Sequence, residues 1–416
     1  MIKDEFIAKI EGHGNLTIDW QKSAVKLNIH EGERLFEGML VGRPAEEMYW
    51  ITSRICGVCP VAHNLAALRA VEAAYDIEVS RSTILLRRLL MDGQMIQSHM
   101  LHLYFLALPD YLGIDRVTEL AKKNPEALKL ALELKDVSDK IVHIIGGRSI
   151  HPTATIHGGF RKLSTKKELK DLLKQVKKIE HASVATAELC VSIKYPDIET
   201  DIEFVSQTNA AEFPKDFVAY NTTHLVSSKE GQYQVSEYKK AITEQVKNYS
   251  TAKFGQYQKR EVLVGALARL AVQPDGLAAK AKKYLDQLNF KNPYHNNMAQ
   301  GIELLHFQQE AEEILEELID TKLSDKVIKP SKRSSRKGIG SVEAPRGGLY
   351  HEVHIDKNGY ITYANIITPT VQNLTSIEKS AKAVLQQTKN LSRKERERLL
   401  NMVVRAYDPC ITCAVH

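Results

Sequence analysis

The sequence predicts a mainly α-helical protein with minor β: a large helical bundle core carrying small peripheral β hairpins. Three observations point there. Between residues 62 and 195 apolar side chains recur at helical spacing in long runs. Strand-like alternation is confined to short stretches, "LTIDW" and "AVKLNIH" near the start and "LYHEVHIDKNGYITYANII" later, the last with Asn-Gly at its turn. The 416 residues, 43% apolar and 26% charged, suffice for a large buried core and contain no internal repeat or low-complexity tract.

Residues 1–50 read as a β-rich amino-terminal region. From Ala62 the pattern turns helical, with "AHNLAALRAVEAAYD", then Ser80 as an N-cap for "RSTILLRRLLMDGQMIQSHMLHLYFLALPDYLG". Leu85, Leu86, Leu89, Leu90, Ile96, Met100, Leu103 and Leu106 keep near-helical spacing there. Apolar residues continue nearly all round, which predicts a central helix. "PEALKLALELKDVSDKIVHIIGG" predicts a helix stopped by Gly146 and Gly147. "STKKELKDLLKQVKKIEHASVATAELCVSI" predicts one more, capped by Ser164 or Thr165. Residues 198–345 read as a mixed insert, with strand-like "IEFVSQT" and the amphipathic "GIELLHFQQEAEEILEELID". The stretch 329–348, rich in Ser, Lys, Arg and Gly, reads as loop. Residues 346–416 supply the hairpin, one final helix over "SIEKSAKAVLQQTKNLSRKERERLLNMVVRAYD", and the closing "DPCITCAVH".

The net charge of +6 is spread over the whole chain and gives no reason to expect nucleic acid as a partner. The densest basic stretches, 329–338 and 392–400, read as a solvated loop and a solvated helix face. No apolar run approaches the roughly 20 residues that span a bilayer. The start, "MIKDEFIAKIEGHG", is too polar for a signal peptide. The expectation is an intracellular chain with no direct membrane span.

Four of the five cysteines form two Cys-x-x-Cys pairs, Cys56 with Cys59 and Cys410 with Cys413, while Cys190 lies alone. A disulfide framework needs a denser cysteine pattern, so metal binding or thiol redox chemistry is indicated. Two residues between cysteines let both sulfurs reach one metal from a turn, and two such pairs make an S4 site. Structural zinc and a single iron–sulfur cluster both remain open on spacing alone. Zinc knuckles usually lie about 15–20 residues apart, whereas these pairs sit near opposite ends of the chain. A shared metal would make 1–416 a single interwoven domain.

The surroundings of the pairs are more specific. "SRICGVCPVAHNLAA" and "YDPCITCAVH" resemble the two signatures of the large, catalytic subunit of nickel–iron hydrogenases. The match is position for position at Arg54, Cys56, Gly57, Cys59 and His63, and at Asp408, Pro409, Cys410, Cys413 and His416. "KIEGHG", "RLFEGMLVGRP", "GGRSIHP", "EAPRGGLYH" and "TPTVQN" extend the resemblance over nearly the whole chain. The short length and "IQSHMLHLYFLALPD" look most like the cytoplasmic, bidirectional, NAD(P)-linked branch.

The resemblance implies reversible hydrogen oxidation at a centre of nickel and an iron carrying one carbon monoxide and two cyanides. It implies Cys56 and Cys410 as terminal nickel ligands, with Cys59 and Cys413 bridging to iron. Soft thiolates suit both metals. Such a centre is formally negative and needs donors and a cation around it. Arg346 matches the arginine over the metals, and Glu11 the proton-relay glutamate beside a terminal thiolate. His63 matches an imidazole that hydrogen-bonds a bridging sulfur, Thr370, next to Pro369, the hydroxyl that bonds a cyanide, and Asp408 the signature aspartate. Glu37 and His416 match a separate magnesium or iron site that ties down the carboxy-terminal segment. Ending at His416 is what the family's subunit looks like once its carboxy-terminal extension is cleaved. Two positions depart from the family: Lys9 stands where arginine is usual, and Ser98 where many relatives carry an aspartate. His99 and His102 read as polar packing residues.

With four cysteines committed to one centre, Cys190 alone cannot hold an iron–sulfur cluster, and no dinucleotide fingerprint is present. The first expected partner is therefore an iron–sulfur small subunit. In the cytoplasmic branch a flavin and NAD(P)-binding diaphorase joins it. Two other readings stand beside this one: a non-catalytic subunit with a zinc staple, and a relative of the cysteine-free, quinone-binding subunit of respiratory complex I.

Overall fold

The computed structural model describes residues 2–114, 117–209, 217, 219–323 and 336–416. Its centre is the Arg81–Leu101 helix, which packs between the helices Pro125–Gly146 and Asn296–Asp320. Ser80 caps it as expected, Oγ accepting from Thr83 N–H at 3.2 Å. Gly93 allows the close approach of the neighbouring helix, since a Cβ there would stand 2.8 Å from Ile141 Cγ2. Beyond Leu101 the helix loosens into a π-helical turn, His102–Ala107, and closes with a short α-helical turn, Leu108–Tyr111, that has Pro109 near its start. Gly147 stops the Pro125–Gly146 helix in the left-handed conformation, at φ 83°.

Two predicted single helices are each two. The first breaks at Ile179 into Lys166–Lys178 and Glu180–Ser192, the former opened by a Thr165–Glu168 capping box. The second breaks over 388–392 into Pro369–Gln387 and Arg393–Ala406, where Ser392 caps a new start. Apolar spacing runs through the first break, so periodicity alone joins its two pieces, whereas at the second Ser392 caps a new helix after a polar stretch.

The loop expected over 329–348 is corrected over its second half. Arg336–Ala344 is a strand paired antiparallel with Gly347–Ile355, and Pro345 and Arg346 form the two-residue turn between them. The first half of that expectation, 329–335, lies outside the described residues. The predicted Asn-Gly hairpin is present, Gly347–Ile355 pairing with Ile361–Ile367 to complete a three-stranded sheet. This sheet lies directly on the Pro60–Tyr75 helix. Cβ atoms at Gly338 and Gly340 would fall 1.9 Å from Ala70 O and 2.2 Å from Ala66 O, so only glycine permits the contact. That helix begins one residue after Cys59, and the sheet thereby fixes where the first cysteine pair sits.

The amino-terminal strands Ile2–Phe6, Gly14–Asp19 and Ala24–Ile29 form an antiparallel meander, followed by short helices at Phe36–Leu40 and Met48–Thr52. The mixed insert holds a four-stranded sheet in the order Val262–Leu263, Glu203–Thr208, His224–Ser227, Gln232–Gln234. Among the described residues no helix is long and apolar enough to cross a membrane.

Candidate metal centre

Each cysteine pair is held at a chain reversal against a helix. Cys56 lies in the bend after Met48–Thr52, and Cys59 is the N-cap residue of the Pro60–Tyr75 helix. Cys410 precedes the short Ile411–Ala414 turn, which contains Cys413. The main chain of Cys410 is paired with Glu11, Ile411 N–H donating to Glu11 O at 3.0 Å. Arg34 ties the two motifs together, its Nη2 donating to Ile55 O at 2.6 Å and to Thr412 O, its N–H to Val415 O at 2.9 Å.

The four sulfurs lie within 4.8 Å of one another, all buried. Cys56 and Cys410 are 3.3 Å apart, Cys59 and Cys413 3.3 Å, and Cys410 and Cys413 3.0 Å. Hydrogen bonds from Cys410 and Cys413 pull the Cys56 thiol well below its ordinary range, while burial pushes Cys410 and Cys413 well above theirs. Burial thus works against ionising Cys410 and Cys413. Ionising all four sulfurs calls for added positive charge, which divalent metals supply. Soft, buried donors and the need for cations together fit a thiolate-bound nickel–iron pair.

Arg346 reaches this pocket from the two-residue turn. It donates through Nε to Asp408 O at 2.7 Å, through Nη2 to Asp408 Oδ1 at 2.8 Å and through Nη1 to Ser98 Oγ at 3.3 Å. Burial favours its neutral form, but Asp408 and the cysteines hold the guanidinium charged. Glu11 Oε2 stands 3.0 Å from Cys410 Sγ. His63 Nε2 is 3.6 Å from Cys413 Sγ, and burial pushes its imidazole down to about 3, so the ring is neutral. Thr370 Oγ1 accepts from Cys410 N–H at 2.9 Å, which leaves its own proton to donate elsewhere. Pro369 opens the helix that carries it. Glu37 and His416 meet at the last strand of the sheet. Glu37 Oε1 accepts from Ile366 N–H at 2.6 Å, and His416 Nε2 lies 2.8 Å from Ile366 O. His99 and His102 are buried, 2.8 Å from Glu303 Oε2 and against Gln300 respectively.

Several residues around the site carry no legible role in the sequence. His351 Nε2 lies 3.3 Å from His63 Nδ1, on the far side of the ring from Cys413. Arg269 is wholly buried and donates to the carbonyls of Ala344 and Pro345, both at 2.9 Å, bracing the turn that presents Arg346. Lys9 pairs with Asp110 at 2.7 Å, which steadies the chain just before Glu11. Thr412, between the cysteines of the second motif, bonds both oxygens of Glu11. His351 and Thr412 stand inside matched motifs, so their place is visible but their contacts are not. For Arg269 no sequence signal points to the site.

Fold and site define a component of an enzyme built around a four-thiolate metal centre. The sequence family described as nickel-dependent hydrogenase matches residues 34–131 and 202–416. The alpha subunit of sulfhydrogenase 1 from Pyrococcus furiosus is 35% identical over 99% of this chain and 97% of that protein. A subunit of the F420-non-reducing hydrogenase of Methanothermobacter marburgensis is 35% identical over 99% of this chain and 94% of its own length. The crystal structure of an NAD+-reducing [NiFe]-hydrogenase in the H2-reduced state superposes with a TM-score of 0.86 at 25% identity, covering 99% of this chain and 98% of that one. A Ni-Fe-Se hydrogenase from D. vulgaris Hildenborough shares the fold, with a TM-score of 0.82 at 22% identity over 100% of this chain and 99% of that one. The chain belongs to the nickel-dependent hydrogenase family, as the catalytic large subunit of a nickel–iron enzyme. The zinc-staple and complex I-like readings are not favoured by these likenesses.

Proposed function

We propose that this subunit interconverts H2 with protons and electrons at the four-cysteine pocket, with Glu11 as the proton-transfer group and Arg346 as the cation facing the reacting side. The observation that carries the reading is the 3.0 Å approach of Glu11 Oε2 to Cys410 Sγ, the one carboxylate against the sulfur cluster among the described residues. Cys56, Cys59, Cys410 and Cys413 would together hold the nickel–iron centre. When bound, this centre supplies hydrogen activation and the redox change. The protein supplies the rest. Arg346 stabilises negative charge in a buried space where a cation acts strongly. His63 donates to Cys413, and Thr370 has a proton available for an iron-bound cyanide. Glu11 takes a proton from Cys410 Sγ and returns it in the reverse direction.

Glu37 and His416 would hold a magnesium or ferrous ion. The support is their convergence on Ile366. With the cysteine pairs meeting from both ends, residues 1–416 make one interwoven domain. Electrons leave to an iron–sulfur small subunit, since the described cysteines outside the centre amount to buried Cys190. A flavin diaphorase then passes them to NAD(P) in the cytoplasm, a reading supported by the likeness to an NAD+-reducing hydrogenase. The test is Glu11→Gln in the purified complex, followed by H2-dependent dye reduction. Turnover should fall by roughly 10²-fold or more with nickel retained. Turnover near wild type removes Glu11 from the proton path.

A further inference from the structure

A glutamate carboxylate turns easily about its last torsion, which has broad minima. In Glu11 that rotation is set by one residue. Thr412 N–H donates to Oε2 at 3.1 Å, and Thr412 Oγ1 bonds Oε1. Oε2 is also the oxygen 3.0 Å from Cys410 Sγ. The main chains on both sides are already fixed. Glu11 is paired with Cys410, and the Thr412 carbonyl is held by Arg34. The orientation of the carboxylate is the freedom left, and the Thr412 hydroxyl removes it. In that bond the Thr412 hydroxyl donates and Oε1 accepts.

We propose that Thr412 is a positioning residue for hydrogen turnover, holding the Glu11 carboxylate so that Oε2 faces Cys410 Sγ. This rests on the reading of Glu11 as the proton-transfer group. In the step served, the S–H bond of Cys410 breaks and an O–H bond forms on Oε2. Negative charge moves from the carboxylate to the sulfur, and Thr412 keeps its own proton throughout. Without the hydroxyl, Oε1 is free to turn toward other donors, and a small misplacement of a transferring group is costly to rate. Valine matches threonine in shape and lacks only this donor. Serine keeps it.

The test compares Thr412→Val, Thr412→Ser, Glu11→Gln and the Glu11→Gln/Thr412→Val double variant, each in the complex with its partner subunits. Turnover number, KM for H2, and nickel and iron per chain are measured. T412V should lower the turnover number roughly tenfold, leave KM and both metals unchanged, and be rescued by T412S. In the E11Q background it should cost nothing further, because Thr412 acts through Glu11. Four results overturn the proposal while leaving Glu11 in place: wild-type turnover in T412V, metal lost in proportion to activity, no rescue by serine, or the full loss repeated on E11Q. Near-wild-type turnover in E11Q overturns the underlying reading of Glu11 itself.

Discussion

The guanidinium of Arg346 grips Asp408 at two points, the main-chain oxygen at 2.7 Å and Oδ1 at 2.8 Å. Asp408 takes a left-handed φ of 51°, a conformation non-glycine residues adopt only under constraint. Two residues later comes Cys410. The cation beside the metal pocket and the geometry of the second cysteine loop are therefore set by one contact.

Arg346→Lys keeps the charge and loses the fork. The ammonium cannot bond both Asp408 oxygens in this geometry, so its position relative to the sulfurs is no longer fixed. Nickel content by mass spectrometry should stay at the wild-type level, while H2-dependent dye reduction falls by about 10²-fold. Full activity in this variant would mean that charge alone, without placement, is enough.

Cys190 lies apart from the four clustered sulfurs. It is buried against Gly301, where a Cβ would meet its Sγ at 2.8 Å, and burial pushes its thiol up to about 12. Cys190→Ser should retain nickel, iron and turnover. Cys59→Ser should lose metal, because an alcohol in a dry pocket does not replace a soft thiolate. Metal analysis of the two variants side by side checks both statements.

The Arg336–Ala344 strand can rest on the Pro60–Tyr75 helix because it presents glycine twice. Gly338→Ala places a methyl 1.9 Å from Ala70 O, a backbone atom that cannot move aside alone. We expect about 3 kcal/mol of lost stability, read as a lower unfolding midpoint, and reduced nickel loading because Cys59 starts that helix.

Glu343 shares the guanidinium of Arg269 with Glu303. Burial raises its carboxyl from 4.5 to about 7, with Arg269 and the Gln207 N–H only partly offsetting this. The folded chain therefore binds a proton here more tightly than the unfolded chain does. Stability from this group is full below about pH 4.5 and is lost as pH rises through about 7, by roughly 3 kcal/mol. Glu343→Gln should flatten that part of the stability profile between pH 5 and 8, measured by denaturant unfolding. A profile as steep as the wild type's would assign the slope to another group.

The metal pocket was legible because four cysteines and their flanking residues are local signals, each readable within a dozen positions. The central helices were legible for the same reason: Leu85 to Leu106 carry their own period. The Arg336–Ala344 strand was not. Its lysine, arginine, serine and glycine look like loop, and its glycines make sense only against Ala66 and Ala70, far away in sequence. The break at Ile179 was hidden because apolar spacing continues across it. His351 lies in a matched motif and Thr412 at an unspecified position of another, but their contacts depend on His63 and Glu11, which the fold brings to them from far along the chain.

The central claim is that the four sulfurs of Cys56, Cys59, Cys410 and Cys413 hold nickel and iron together. Elemental analysis of the anaerobically purified complex, with infrared spectroscopy between the protein bands, addresses it most directly. The account predicts nickel and iron in equal amounts at this site, with bands from carbon monoxide and cyanide that disappear in Cys59→Ser. Full zinc occupancy with no nickel and no such bands would contradict it.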